Sequence, residues 1–406
     1  MKLFPMESGL VSLPIKVLLC CLCFLLAGSS LASSATNPTR LRGKETDRVA
    51  LLAIKAQIKH EPTSVLSSWN ESSHFCQWQG VDCGRRHQRV TVLDLQSQHL
   101  AGSISPHVGN LSFLKELYLQ NNSFTGEIPP HFGHLRRLQT LRLNNNSIGG
   151  EIPANISSCS NLIRLDLGYN KLVGKLPTTI GSLSMLQRFG FYYNNLAGTI
   201  PPSFGNLSSL TTLLAIGNNL EGSIPISIGK LTSLKVFAVG ENLLSVNGLT
   251  GQVPSLQKLF GLWEFVIGDN YIGSGKASDF SFLSDLTNST QLGTLDLTAN
   301  NFGGMLPLSL WNFSTSLSAF SVLNNQIHGS IPNGIGKLVN MEILYMGHNE
   351  FSGSIPADIG KLRSLGRLLL NNNKLSGDIP SSLGNLTELF ILDLQGNALQ
   401  GIIPPS

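Results

Sequence analysis

Charge is scarce in this chain: only 13% of its 406 residues are Asp, Glu, Lys or Arg, and 28 basic against 24 acidic side chains leave a net charge of +4. The cations are spread along the chain without a Lys/Arg run, so no basic stripe of the kind that neutralises phosphates is evident, and a nucleic-acid partner is not expected. Catalytic signatures are missing as well. There is no G-x-S-x-G, no H-E-x-x-H and no phosphate loop, since Lys230, Lys337 and Lys361 follow Gly but precede Leu. Kinase signatures are absent too. His131 and His134 in "HFGH" have no cysteine or third histidine near them and read as solvated loop residues rather than a metal pair. Neither an enzyme nor a cofactor nor a metal is expected.

Long apolar runs are also few. The run "VLLCCLCFLLAG", behind Lys2 and Lys16 and followed by "SSLASSAT", is too short to span a bilayer comfortably. It reads as a secretory signal over residues 1–35, a retained anchor being the alternative. Cleavage between Gly28 and Ala35 removes Cys20, Cys21 and Cys23 and leaves three cysteines in an oxidising compartment.

What the chain has in abundance is repetition. "LYLQNNSFTGEIP" returns as "LRLNNNSIGGEIP", "LDLGYNKLVGKLP" and "FGFYYNNLAGTIP", with Asn122, Asn146, Asn170 and Asn194 spaced by 24 residues. The same position is held by Asn218, Asn242, Asn270, Asn300, Asn325, Asn349, Asn373 and Asn397, and before Asn122 by Gln98, which makes about thirteen copies. Within each copy the L-x-L alternation has the period of a short strand with one face buried. One strand per turn cannot close a core alone, so the turns must stack and bury their leucines against their neighbours. The asparagine, set among those leucines, supplies donor and acceptor to inward-pointing backbone groups where the chain leaves the strand. Stacked copies are expected to form a buried ladder. The following Gly permits a tight turn, and the Ile-Pro pair suits an extended segment that needs no ladder donor.

"LxGxIP" after the Asn resembles the plant type of leucine-rich repeat, from Val90 to Ser406. That resemblance implies an α/β solenoid: a right-handed superhelix with a concave strand face and a second short sheet beside G-x-I-P. It divides the chain into a signal at 1–35, an amino-terminal cap at 36–89 and a solenoid at 90–406, irregular at 243–290.

Cys76 and Cys83, seven apart in "FCQWQGVDC", are expected to pair. The preceding "ETDRVALLAIKAQIKH" has Val49, Leu52, Ile54 and Ile58 at mainly helical spacing behind Thr46 and Asp47, which are placed to cap a helix. Helix, Trp69, Trp78 and disulfide together resemble the amino-terminal cap of plant repeat receptors. Cys159 is left without a partner and reads as a buried structural thiol. Asn70, Asn110, Asn121, Asn145, Asn155, Asn206, Asn288, Asn312 and Asn385 each begin an N-x-S/T and are candidate glycosylation sites. The segment "GSGKASDFSFLSDLTNST" resembles an irregular repeat of the immune branch of plant receptor kinases, the branch of the bacterial elongation-factor Tu receptor. Ser289 stands where that branch has Cys. A surface bulge without function is the alternative reading.

With no chemistry in the motifs, function is expected on the strand face, among the residues between the leucines. These are Lys115, Glu116, Tyr118, Gln120 and Asn121 in one turn, then Arg142 and Asn145, then Arg164, Asp166 and Tyr169, then Arg188, Tyr192 and Tyr193. Arg and Tyr in such a strip suit an extended peptide, the first pairing with carboxylates and the second giving rigid contact area. An ordinary solvated face is the alternative. Trp263, with Glu264, Asp269, Tyr345, His348 and Arg367, forms a more scattered second candidate.

The last residues, "LQGIIPPS", stop inside a repeat, without the carboxyl-terminal cap of such ectodomains. Beyond them the resemblance implies further repeats, a transmembrane helix and a cytoplasmic serine/threonine kinase, none of which is in this sequence. The expected function is the extracellular ligand-recognition region of a plant immune receptor kinase at the plasma membrane, binding a microbial peptide or protein and recruiting a co-receptor kinase. The alternative is a free protein of the apoplast, acting as decoy or as inhibitor of a microbial cell-wall hydrolase.

Overall fold

The structure, a computed structural model, describes residues 43–242 and 248–404. The expected signal at 1–35 and the first residues of the irregular stretch, 243–247, lie outside them.

The chain enters through a helix, α1 (Gly43–Gln57), that begins earlier than its capping residues suggested. Thr46 and Asp47 are inside it, and its buried face is Asp47, Ala50, Leu51 and Ile54, whereas Val49 is exposed. Asp47 is therefore not a cap. Fully buried, it accepts hydrogen bonds from Arg89 Nε at 2.8 Å and Nη2 at 2.7 Å and from the Val90 N–H at 2.9 Å, tying the helix to the first parallel strand. A buried carboxylate is tolerable only when so paired. Behind it Trp69 and Trp78 stack at 5.4 Å, and Cys76 and Cys83 are disulfide-bonded.

From Val81–Cys83 onward, the described residues form one fourteen-stranded sheet. The first strand runs antiparallel to Val90–Asp94. Each later strand is parallel to its predecessor and in register with it, as Leu117 pairs with Leu141 and Arg188 with Arg164. The strands are only about three residues long because each turn offers only one L-x-L, and its leucines, such as Leu141, Leu165 and Leu213, are wholly buried. Phe189, Phe237, Phe265 and Phe320 fill the same column.

The asparagines join successive turns. Asn146 accepts from the Phe124 N–H at 2.9 Å and donates to the Leu119 carbonyl of the preceding turn at 2.9 Å and to Leu143 of its own at 3.0 Å. The pattern recurs down the column to Asn397, which bonds Leu375, Leu370 and Leu394. Gln98, at the head, turns its amide to its own turn, the Gln96 carbonyl, while its N–H goes to Asn122. Before each ladder residue the backbone is left-handed, with φ of 59° at Asn121, 57° at Asn145 and 68° at Gly217. The Gly of G-x-I-P is left-handed too, at 80° in Gly126, a conformation that favours a residue without Cβ.

Beside this sheet runs a flank of shorter ones, and it breaks at the irregular repeat. One five-stranded flank sheet ends at Tyr271–Ile272 and the next begins at Gly303–Gly304. Between them lie a 3-10 turn, Ala277–Phe280, and a one-and-a-half-turn helix, α2 (Ser281–Leu286). This segment is not a surface bulge: Phe280, Phe282, Leu283 and Leu286 are buried, and Phe280 stacks on Phe302 at 5.6 Å. Ser289 Oγ donates to the Leu259 carbonyl at 2.7 Å, and Cys159 Sγ contacts the Phe132 carbonyl at 3.2 Å. Both are buried, and burial pushes the Cys159 thiol up to about 11, so it is inert at neutral pH.

Asn218→Ala, at a wholly buried rung bonded to Leu196, Phe191 and Ala215, should cost more than about 2 kcal/mol by leaving several backbone groups unpaired. Asn122→Ala, at a half-exposed rung bonded to Leu100, Leu95 and Leu119, should cost less. Denaturant unfolding of both variants measures the difference, and equal losses would refute the burial argument.

Candidate ligand-binding face

Six successive strands bring the polar strip and its surroundings to one recess of about 350 Å³. Arg142, Arg164, Asp166, Arg188 and Tyr192 line it, Leu214 and Val236 floor its further side, and Glu264, beside Val236 on the next strand, closes it. Strand register sets this order. Arg164 lies beside Arg188, and Arg142 beside Asp166, which faces Gly190 in the next strand.

Asp166 is the polar hub. Its carboxylate accepts from the Gly168 N–H at 3.3 Å, interacts with the Tyr192 hydroxyl and lies 3.9 Å from Arg142 Nε. Burial pushes its pKa up, against the opposite pull of Gly168, Arg142, Tyr192 and Arg164. The Tyr192 phenol is pushed up to about 12, first by burial and then by the Asp166 charge. Glu264 is also raised by burial. Arg142 Nε is buried without a hydrogen-bond partner among the described residues, a deficit worth about 1–3 kcal/mol. The recess thus holds three guanidinium groups against two carboxylates, Asp166 and Glu264, both raised by burial.

Gly168 is what lets Tyr192 lie flat, because a Cβ there would collide with the phenol ring. On the rim, Tyr169 stacks on Tyr193 at 4.7 Å and meets Tyr192 edge-on at 5.4 Å. Tyr193 reaches Glu241 at 3.5 Å. Tyr169 and Tyr193 stand in the left-handed column at φ 50° and 49°, where Asn and Gly sit readily but a bulky side chain costs about 1–2 kcal/mol. Both are nevertheless exposed. Neither burial nor backbone comfort accounts for them, and strained exposed residues concentrate at functional sites.

The other predicted residues are elsewhere. Tyr118 donates to Glu116 at 2.6 Å, two turns before Arg164, outside the recess. Trp263 is 54% exposed, lying over Gly293, also outside it. Tyr345 lines a separate recess, and Arg367 packs over Phe390 at 5.3 Å. His348 is held by the Asn371 and Asn372 amides at 3.1 Å. Of the scattered second group only Glu264 joins the first. Sequence reading missed Leu214, Val236 and Glu241, although they occupy the same between-leucine columns. All nine sequon asparagines are exposed, and Asn121 and Asn145 precede Tyr169 in the left-handed column.

Among the described residues no His/Cys/Asp/Glu group is placed to hold a metal, and no helix is long and apolar enough to cross a membrane.

Comparison with known proteins matches residues 44–84 to the leucine-rich repeat N-terminal domain, 84–195 to a leucine-rich repeat region, and 185–207, 340–362 and 364–386 to single leucine-rich repeats. The chain is similar to the LRR receptor-like serine/threonine-protein kinase EFR of Arabidopsis thaliana, with 54% identity over 76 residues, 18% of this chain and 7% of that relative. Among solved structures it resembles the PEPR1–AtPEP1 complex, with TM-score 0.79 and 34% identity over 89% of this chain and 49% of the other. It also resembles the ectodomain of the Arabidopsis receptor kinase HAESA in complex with an IDA peptide hormone ligand, with TM-score 0.60 and 28% identity over 88% of this chain and 66% of the other. The chain therefore spans about half the PEPR1 chain, and its matched stretch spans a small part of the EFR sequence.

Because the folded state holds Tyr192 protonated to about pH 12, against about 10 for an unfolded tyrosine, its stabilising contribution is complete below pH 10 and declines as pH rises from about 10 to about 12. Spectrophotometric titration should show a late-ionising phenol that disappears in Tyr192→Phe. An unaltered titration curve in that variant would contradict the assignment.

Proposed function

We propose that this chain, a plant-type leucine-rich-repeat protein whose known relatives are receptor-kinase ectodomains, is the extracellular ligand-recognition region of a plant immune receptor kinase. Its ligand is an extended peptide, or an extended segment of a protein, of microbial origin. The observation that carries this reading is the pairing of strained, exposed and mutually stacked Tyr169 and Tyr193 with Arg164 and Arg188, register partners on adjacent strands. Rigid aromatic area and guanidinium groups are what concentrate binding energy at recognition surfaces, and here they stand where neither the core nor the ladder needs them.

The recess also orders its ligand chemically. Arginines occupy its first turns, Leu214 and Val236 its middle, and Glu264 its far side. A peptide crossing it places a carboxylate, a side chain or its own terminus, against Arg164 and Arg188, an apolar residue at the middle and a basic or hydroxyl group toward Glu264. The unsatisfied Arg142 Nε gains an acceptor on binding. Glycans at Asn121 and Asn145 confine approach to the turns beyond them, and a co-receptor kinase docks against the filled face. On this reading, the membrane and kinase parts belong to a longer protein.

Peptides extracted from bacteria and from leaf apoplast, passed over the immobilised full chain, should include a retained set that Arg164→Ala/Arg188→Ala loses while Lys361→Ala, on a short helix away from the recess, keeps. Retention of the same peptides by the double variant would overturn the strip. An immunoblot against Leu256 to Thr290 in fractionated, deglycosylated plant tissue should show a band much larger than this chain in the membrane fraction. A band of this chain's own size in the apoplast would instead mean a free secreted protein.

A further inference from the structure

Although no Lys/Arg run stands out in the sequence, the coil gathers one. Arg89, Phe113 and Arg137 are 24 residues apart in turn, so they occupy one position in three successive turns. They stack: Arg137 lies 4.0 Å and Arg89 4.6 Å from the centre of the Phe113 ring. Arg85, Arg86 and Lys115 join them around a recess of about 230 Å³, whose lining shares no residue with that of the Arg164 recess.

Arg89 is committed to buried Asp47 at 2.7 Å. Arg85, Arg86, Lys115 and Arg137 form no ion pair among the described residues, and all four are exposed. Of the acids nearby, Glu116 is bonded by Tyr118, and Asp82 lies on the strand that faces Val92. In a chain whose net charge is only +4, four unpaired cations at one corner are a local field that the fold does not use.

Their arrangement selects the kind of anion. Neighbouring strands lie about 4.8 Å apart, so a row over three turns spans roughly 10 Å. It is a shallow row, not a closed cradle, and each exposed cation alone is worth little. A small anion would meet one or two of them in water. A linear polymer with a carboxylate on every unit meets all of them together, and the weak contacts add because the units are tethered. Stacking on the Phe113 ring holds the Arg89 and Arg137 guanidinium groups at fixed positions in the row, which suits a stiff polymer with regularly spaced carboxylates.

We propose that this corner binds a linear polycarboxylate, a polyuronic acid chain. The site is separate from the Arg164/Arg188 recess and does not depend on the ligand proposed there. Affinity electrophoresis of the full chain through gels containing polygalacturonic acid tests it. Migration should be retarded, and the retardation should vanish with the fully methyl-esterified polymer and fall steeply with salt. Arg85→Ala/Arg86→Ala/Arg137→Ala should bind about tenfold more weakly, with an unchanged melting temperature, while Arg164→Ala/Arg188→Ala should match the wild type. If the triple variant melts early, Arg85→Ala/Lys115→Ala serves in its place. The proposal is overturned if the corner variants are retarded as the wild type is, if loss occurs instead in Arg164→Ala/Arg188→Ala, or if dextran sulfate or duplex DNA retards the protein more strongly than polygalacturonate does.

Discussion

The amide of each ladder asparagine answers for backbone groups in two turns at once, and nearly everything else in this fold depends on that. A chain that leaves a strand and doubles back turns N–H and C=O groups toward a dry interior, where leaving them unpaired is costly. Asn146 takes one such N–H and satisfies carbonyls on either side of the turn boundary. Because each asparagine bonds backward to its neighbour, the ladder also holds adjacent strands in register. Leucine burial gives the stack its cohesion, but leucines alone would tolerate slippage; the polar column pins the spacing.

With spacing pinned, the face between the leucines becomes a lattice on which side chains from distant parts of the sequence are placed at known neighbours. The Arg164 recess and the Phe113 corner are two products of that lattice. In the first, cations share space with two carboxylates and with tyrosines held in an unfavourable backbone conformation. In the second, cations are stacked on an aromatic ring and left open. Two different anion chemistries stand on overlapping turns of one coil.

Most of the fold was legible in the sequence, since a 24-residue period carrying L-x-L, Asn and G-x-I-P constrains strand, turn and stacking together. What was not legible is instructive. Asp47 looked like a capping residue from its place at a helix start, yet it is the buried partner of Arg89, 42 residues away; local pattern does not encode a long-range ion pair. The irregular segment broke the period and so left a surface bulge as the alternative to an irregular repeat, but Phe280 and Phe282 fill the core where the period lapses. In the site, Arg164, Arg188, Tyr169 and Tyr193 could be placed in columns by counting, whereas the role of Gly168 in accommodating Tyr192 needed three dimensions. The dispersed charges of the composition likewise concealed the corner at Phe113, which exists only once residues 24 apart are neighbours.

The left-handed column gives this architecture an evolutionary property. Its residues precede the ladder asparagines, point outward and are held by backbone bonds to the next turn, so the side chain there is not needed for stacking. Along the coil the column carries Ser, Asn, Tyr, Gly, Glu, Asp, Ala and His at one turn or another. Each exchange costs a bounded, local amount of conformational energy, and the register beneath is left undisturbed. Recognition can therefore be rewritten one turn at a time, with new specificities tried on a scaffold whose foldability is insulated from the trial.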